Sequence, residues 1–491
     1  MLAPLIRRPR QRATLRSRER GVTMALVALA MVTIIAMAAL SIDIGALYEA
    51  KAEAQRAADA AALTAARVIS ISGNTGATSA TWGQICGGLG SQASLAAISM
   101  AQQNLISGVA VSSAAVSVKY GVGSAGATNT DCSGLGANFA VNPVVTVSLQ
   151  SATLPIFFAR VFSLFGSSYA STTAKATATA EVFNPSGVSP MVPVNPRCVK
   201  PWVVPNRDPG VGTCAPTACP QLVDETTGAI LNAGISPNGV IDETLNLVPD
   251  CLTSGGRGRR PCALMDNPPV ANSGATPTLP PTLDYVPGQV LNPSIAIAAN
   301  GAIAACADAK RNDYAEAVAG CDQSTVYACG VGGANTVELT EDPGLPRDDS
   351  VNGAACLTNA AANGLGQGQD SLSTSTSPPP TYTYPFQILA GTNSALLTTG
   401  VASGSQITNS PSIVSLPIYD NLAPPQKLNT TGTTAITVIG FLQVFINSVD
   451  STTGNINVTV MNVSGCGNGS VTGPPVALGT SPVPIRLITP P

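Results

Sequence analysis

The chain of 491 residues contains no histidine. That absence removes Ser–His–Asp and Cys–His nucleophile systems, together with every zinc site built on imidazole. Charge is scarce as well: 10% of residues are Asp, Glu, Lys or Arg, against ~25% in an average soluble chain. The net charge is only −3, which excludes disorder driven by high net charge. Aromatic residues make up 4%. No Gly-x-x-x-x-Gly-Lys-Ser/Thr phosphate loop occurs, so nucleotide hydrolysis of that type is excluded. The abundant residues are small or apolar: 45% hydrophobic residues, 47 Gly and 39 Pro. Such a composition suits a membrane segment or a surface of Ser, Thr and Asn, and this chain has both.

The few charges are unevenly placed. Residues 1–20 hold seven arginines and one acid, Glu19, a net of +6 that leaves −9 for the remainder. From Gly21 to Ile42 no charged residue occurs. As a helix that run rises about 33 Å, enough to cross a ~30 Å hydrocarbon layer. Asp43 closes it at the far interface. The positive-inside rule keeps the arginine head in the cytoplasm and exports the chain beyond Asp43. A cleaved export signal is the rival reading, because Ala36-Met37-Ala38 offers a small-x-small site. The apolar run continues past that site, which favours anchoring. The acidic bulk argues against a nucleic-acid partner.

Ala46 to Val68 has no Gly or Pro and is rich in Ala, Glu, Lys, Gln and Arg, the strongest helix formers. One helix is therefore expected from about Val22 to Arg67. Ala54, Ala58, Ala62 and Ala66 recur every four residues, which lets another helix or a sheet approach closely. The same alanines also serve helicity alone. The expected helix-packing set is Asp43, Gly45, Tyr48, Ala54, Ala58, Asp59, Ala62 and Ala66.

The strings Ser41-Ile42-Asp43-Ile44-Gly45-Ala46-Leu47-Tyr48 and Gln55-Arg56-Ala57-Ala58-Asp59-Ala60-Ala61-Ala62-Leu63 resemble the N-terminal signature of the TadE/TadG-like family. Pro155-Ile156-Phe157-Phe158-Ala159-Arg160, Phe165-Gly166 and Ala174 to Ala178 are similar to a later helix and closing strand of that family. The resemblance covers about residues 20–182. It implies a pseudopilin-like assembly protein of tight-adherence (Flp-type) pili, with other pilus-assembly membrane proteins and the lipid bilayer as partners. Leu26 stands where peptidase-processed pilins carry Glu, which is similar to the unprocessed TadG-like branch. Some TadG-like proteins carry a von Willebrand A metal site. The nearest string here, Asp322-Gln323-Ser324-Thr325-Val326, lacks its second Ser and follows Cys321, so that site is expected to be absent.

Beyond the helix, Val116, Val118 and Tyr120 alternate with Ser117 and Lys119, as a half-buried strand does. Val145, Val147 and Leu149 do the same, and so do Ala174, Ala176, Ala178 and Ala180. Phe157, Phe158, Val161, Phe162 and Phe165 suit a helix starting at Pro155. Ile413 to Leu416 reads as a short strand and Ala435 to Val449 as a long one. The turn Asp450 to Gly454 then leads into Ile456–Val460 as a hairpin. The expected organisation is a basic head (1–20), a transmembrane helix (21–47), a pseudopilin-like α+β region (48–182), a Cys/Pro/Gly-rich region (183–370), a Ser/Thr/Pro linker (371–385) and a β-rich C-terminal module (386–491).

All twelve cysteines lie past the apolar run, where an oxidising compartment favours disulfides over metal. Cys214 and Cys219 have no second close pair to complete a zinc site. Glu341, Asp342, Asp348 and Asp349 lack regular calcium-ligand spacing and read as a solvated loop. No catalytic residue, cofactor, metal or small-molecule substrate is expected. The sequence thus reads as a single-pass inner-membrane protein with its bulk outside the cytoplasm, a structural component rather than an enzyme. The alternative is a secreted or surface-exposed cysteine-rich binding protein with a cleaved export signal.

Overall fold

The computed structural model describes residues 16–71, 82–123, 127–135, 139, 143–154, 158, 172–182, 192–196, 198–210, 220–225, 228, 230–231, 239–249, 281–290, 306, 313–320, 327–330, 335–339, 346–360, 368–373, 386–420, 432–451, 453–466, 477–479 and 485–488. The architecture is α+β: one long N-terminal helix, then many strands with a few short helices.

Helix α1 runs unbroken from Arg16 to Ile71. Two shorter helices come next, α2 (Trp82–Cys86) and α3 (Gln92–Gln103). Ser107, just beyond α3, donates its backbone N–H to Glu53 Oε2 at 2.7 Å, so α3 runs back along α1. The strands β1 (Val116–Val122), β2 (Ala127–Asn129), β3 (Pro143–Gln150) and β4 (Lys175–Val182) form an antiparallel sheet beside these helices. The alternation read from the sequence is the burial pattern of this sheet. Val116, Val118, Tyr120, Val145, Val147, Leu149, Ala176, Ala178 and Ala180 all point into one core. The other face carries cross-strand hydroxyl pairs, Thr146 with Thr179 at 2.9 Å and Ser148 with Thr177 at 3.0 Å. Tyr120 ties the sheet to α3 through a 2.6 Å hydrogen bond with Ser94. Of the phenylalanine-rich helix expected after Pro155, only Phe158 falls within the described residues.

The remaining strands are β5 (Val192–Pro196), β6 (Trp202–Pro205), β7 (Thr244–Pro249), β8 (Thr282–Pro287), β9 (Gln289–Val290), β10 (Tyr327–Cys329), β11 (Asn335–Leu339), β12 (Ser371–Leu372), β13 (Ile388–Leu389), β14 (Gln406–Ile407), β15 (Ile413–Tyr419), β16 (Gly432–Ile436), β17 (Val438–Val449), β18 (Ile456–Gly465), β19 (Ala477–Gly479) and β20 (Ile485–Ile488). Six of them pair in a ring, β15–β6–β8–β7–β18–β17 and back to β15. Closing a sheet on itself removes the open edges that invite aggregation. The main apolar core belongs to this barrel and includes Trp202, Leu245, Leu283, Leu416, Val444 and Val458. The expected hairpin is its centre. Asp450 and Asn455 close the turn at 2.9 Å, and Gly454 there has φ +80°. Residues 435–449, expected as one strand, divide at Thr437: β16 leaves to pair with β11 while β17 enters the barrel.

Barrel strands come from both sides of residues 371–385, so the 183–370 and 386–491 segments share one sheet. The final strand, β20, returns to the first sheet and pairs with β4. Arg486 Nε lies 2.8 Å from Glu181 Oε2 across that pairing. The barrel is thus inserted between two neighbouring strands of the helix-bearing sheet. Buried Lys200 donates to the carbonyls of Val318 (2.8 Å) and Gly320, which satisfies the C-terminal end of the helix Asp313–Ala319 with a cation.

Three disulfides join described residues: Cys86–Cys132, Cys306–Cys356 and Cys329–Cys466. Cys198 is also disulfide-bonded. Cys214, Cys219, Glu341, Asp342 and the Asp322–Val326 string lie outside the described residues. Asp349, expected in a solvated loop, is instead buried within the helix Pro346–Leu357, because that helix packs beside the barrel strand β17.

Candidate interaction surface

Helix α1 has two halves with opposite environments. From Thr23 to Glu49 no residue is buried. Met24, Leu26, Leu29, Val32, Ile35 and Met37 are each more than half exposed, a contiguous apolar surface of the kind that is covered by lipid or by another protein. Two polar side chains of the apolar run are satisfied within the helix: Thr33 Oγ1 donates to the carbonyl of Leu29 and Ser41 Oγ to that of Ala38, both at 2.8 Å. Helices able to do this can sit in hydrocarbon. The segment is long and apolar enough to cross a bilayer.

From Ala50 onward the helix becomes a core element. Ala54, Ala58, Ala62 and Ala66 are fully buried, and so are Ala57, Ala61 and Ala65. The close approach that these rows permit is made by the chain's own α3, β3 and β4. Alanines on the helix share one core with Ala176, Ala178 and Ala180 on β4, and such small side chains let both backbones come near. Asp59 is half-buried and accepts a hydrogen bond from Gln55 Nε2 at 2.9 Å, while the same nitrogen reaches the carbonyl of Thr177 at 3.1 Å.

The other members of the expected set lie at the junction of the two halves. Asp43 is partly exposed, and its Oδ2 accepts the backbone N–H of Phe158 at 2.9 Å. Gly45 has open space where a Cβ would project, and Tyr48 is 74% exposed. The structure therefore places Asp43, Gly45 and Tyr48 on an open surface and the four alanines inside. Sequence reasoning did not anticipate that Phe158 meets Asp43. The contact joins residues 115 positions apart, and no local pattern carries such a pairing.

Among the described residues, buried acids gather in the barrel. Glu243 is pushed up to about 9, first by burial and then by Asp208, whose carboxyl it hydrogen-bonds. Burial alone raises Asp242 to about 7 and Asp284 to about 6. A carboxyl pair in hydrogen-bond contact favours one shared proton, which keeps one member of the pair neutral. Among the described residues no group of three or more Cys, Asp or Glu is placed to hold a metal ion.

Residues 21–68 match the family model described as Flp pilus-assembly TadE/G-like. No curated protein and no solved structure matches the chain. The matched segment spans the exposed apolar half of α1 and nearly all of its buried alanine half.

Proposed function

We propose that this chain, TadE/TadG-like over residues 21–68, is a structural assembly component of a tight-adherence (Flp-type) pilus apparatus. It acts without catalysis, as a member of the TadG-like branch that lacks a von Willebrand A metal site. One pass of α1 anchors it in the bacterial inner membrane, with the arginine head cytoplasmic and the sheet and barrel outside. The observation that carries this reading is the division of α1. The matched helix begins as a lipid-facing segment and ends as the central core helix of the body, so anchor and body are one rigid piece. A removable export signal has no need of such continuity.

Its partners are the bilayer and other pseudopilin-like membrane proteins. Asp43, Gly45 and Tyr48 are the residues positioned to meet neighbouring helices, because they sit on the exposed part of α1 where the membrane ends. Gly45 lets a second backbone come close, as small residues do in membrane-helix contacts. Ala54, Ala58, Asp59, Ala62 and Ala66 act through the chain's own packing, holding the body at a fixed angle to the anchor.

The test is surface piliation in a strain lacking this gene, complemented with the wild type or with Gly45→Leu. The expected result is loss of pili in the deletion, restoration by the wild type and poor restoration by Gly45→Leu at equal membrane abundance. Unchanged piliation in the deletion strain would refute the assignment.

A further inference from the structure

We infer that Phe158 is a second membrane contact, its ring resting in the interfacial layer of the bilayer beside the point where α1 leaves it. The inference rests on the reading of α1 as a membrane-spanning helix. Asp43 is the first charge after the apolar run, which places its carboxylate at the boundary between hydrocarbon and water. The backbone N–H of Phe158 is bound to that carboxylate at 2.9 Å. A residue held by its main chain to Asp43 lies at the same depth as Asp43.

The distribution of aromatic side chains gives independent support. Among the described residues, every Phe, Tyr and Trp is buried except two, Tyr48 at 74% exposure and Phe158 at 48%. Tyr48 stands five residues beyond Asp43, about 7.5 Å along a helix. The two exposed aromatics thus lie within about 7.5 Å of each other along the axis of α1, although they are far apart in sequence. Rings gathered at the border of a membrane span are what lipid headgroups select, since an amphipathic or apolar ring is stabilised there and costs free energy in water. The sequence on either side of Phe158 also carries Ile156, Phe157, Val161 and Phe162. A bilayer surface fits better than a protein groove because Phe158 is tied by its main chain to Asp43, the residue that ends the apolar run of α1.

The consequence is orientational. A single spanning helix leaves the rigid unit of anchor and body free to tilt and turn as a whole in the bilayer. A second apolar contact across the Asp43–Phe158 bond fixes which side of the sheet faces the membrane.

The test uses the full chain reconstituted in phosphatidylcholine vesicles with bromines either near the headgroup end or near the tail end of the acyl chains. Three single tryptophan substitutions are compared: Phe158→Trp, Val32→Trp and Leu89→Trp. The native Trp82 and Trp202 are buried at 1% and 0% exposure and supply a constant background. Val32 lies near the middle of the apolar run. Leu89 is exposed and precedes α3, whose other end lies at Glu53, so it stands roughly 30 Å beyond Asp43. The expected result is loss of Phe158→Trp emission mainly with shallow bromines, loss of Val32→Trp emission mainly with deep ones, and no change for Leu89→Trp. If Val32→Trp is quenched while Phe158→Trp behaves as Leu89→Trp does, the anchor stands and Phe158 faces water or a protein, which overturns the inference. If Val32→Trp is not quenched, α1 does not cross the bilayer and both readings fall.

Discussion

Asn462 of β18 donates its side-chain N–H to the backbone carbonyl of Ser70 at 3.2 Å, and both residues are fully buried. Ser70 lies in the last turn of α1, where carbonyls have no partner within the helix. The barrel therefore supplies a donor to the end of α1, and Ile71 joins the barrel's own core. Replacing Asn462 by Leu removes the donor without opening a cavity. The expected cost is about 1–3 kcal/mol, read as a lower denaturation midpoint, with faster hydrogen exchange confined to residues 60–71 and their contacts. Unaltered exchange there would show that the bond does not couple the two parts.

The buried alanines predict an effect on folding. Ala58→Leu and Ala62→Leu place large side chains where α3 and β4 already touch the helix, so each is expected to destabilise by about 1–3 kcal/mol. Ala52 is exposed on the same helix, and Ala52→Leu is expected to be nearly neutral. Denaturant titration of the three variants checks this. Equal midpoints for all three would mean that the helix does not pack as described.

Cys86–Cys132 closes a loop of 46 positions between α2 and the segment after β2. Its removal by the double Cys→Ser change is expected to cost about 2–4 kcal/mol, chiefly by freeing the unfolded chain. Peptide mapping under non-reducing conditions should recover Cys86–Cys132, Cys306–Cys356 and Cys329–Cys466 as linked pairs. Reactive thiols at these positions would contradict the structure.

Much of the helix-bearing part was legible because its signals are local. The charge-free run and the Ala-rich continuation define α1, and two-residue alternation defines β1, β3 and β4, each with an apolar face in the core and a more polar face opposite. Of the barrel, β15, β17 and β18 were legible as strands with their hairpin, but β6, β7, β8 and the closure of the ring were not, and their physical character explains why. Strands such as β6, Trp202–Pro205, are buried at every residue, so they show no alternation, and they lie among prolines that mask a strand pattern. Their pairings are also remote: Thr244 meets Thr459, and Trp202 meets Pro287. Strand β20 is four residues long, too short to register as an element, although it completes the first sheet. Of the candidate surface, the open positions Asp43, Gly45 and Tyr48 were identifiable from the end of the apolar run. The partner of Asp43, Phe158, was not.

The buried carboxyl pair predicts a stability that depends on pH in an unusual direction. Glu243 occupies the space a side chain at Gly210 would need, since a Cβ there would lie 0.7 Å from Glu243 Oε1. Its folded value of about 9 stands above the ordinary 4.5, so between those values the folded chain holds a proton that the unfolded chain releases. Stability is therefore greatest at the acid end of that window and falls as pH rises through it, by at most about 1.4 kcal/mol per pH unit for one proton. Asp242 and Asp284, raised in the same sense, add to the slope. Glu243→Gln keeps a hydrogen-bond donor toward Asp208 but cannot titrate, and it is expected to flatten the dependence of Tm on pH. An identical slope in the variant would remove Glu243 as its source.

The central claim is that one continuous helix both anchors the chain and builds its body. Intact-mass measurement of the protein recovered from alkaline-washed membranes tests it most directly. The account predicts a membrane-retained species that still contains the residues preceding Ala39, arginine head included. A mature species beginning at Ala39 and released into the soluble fraction would contradict it.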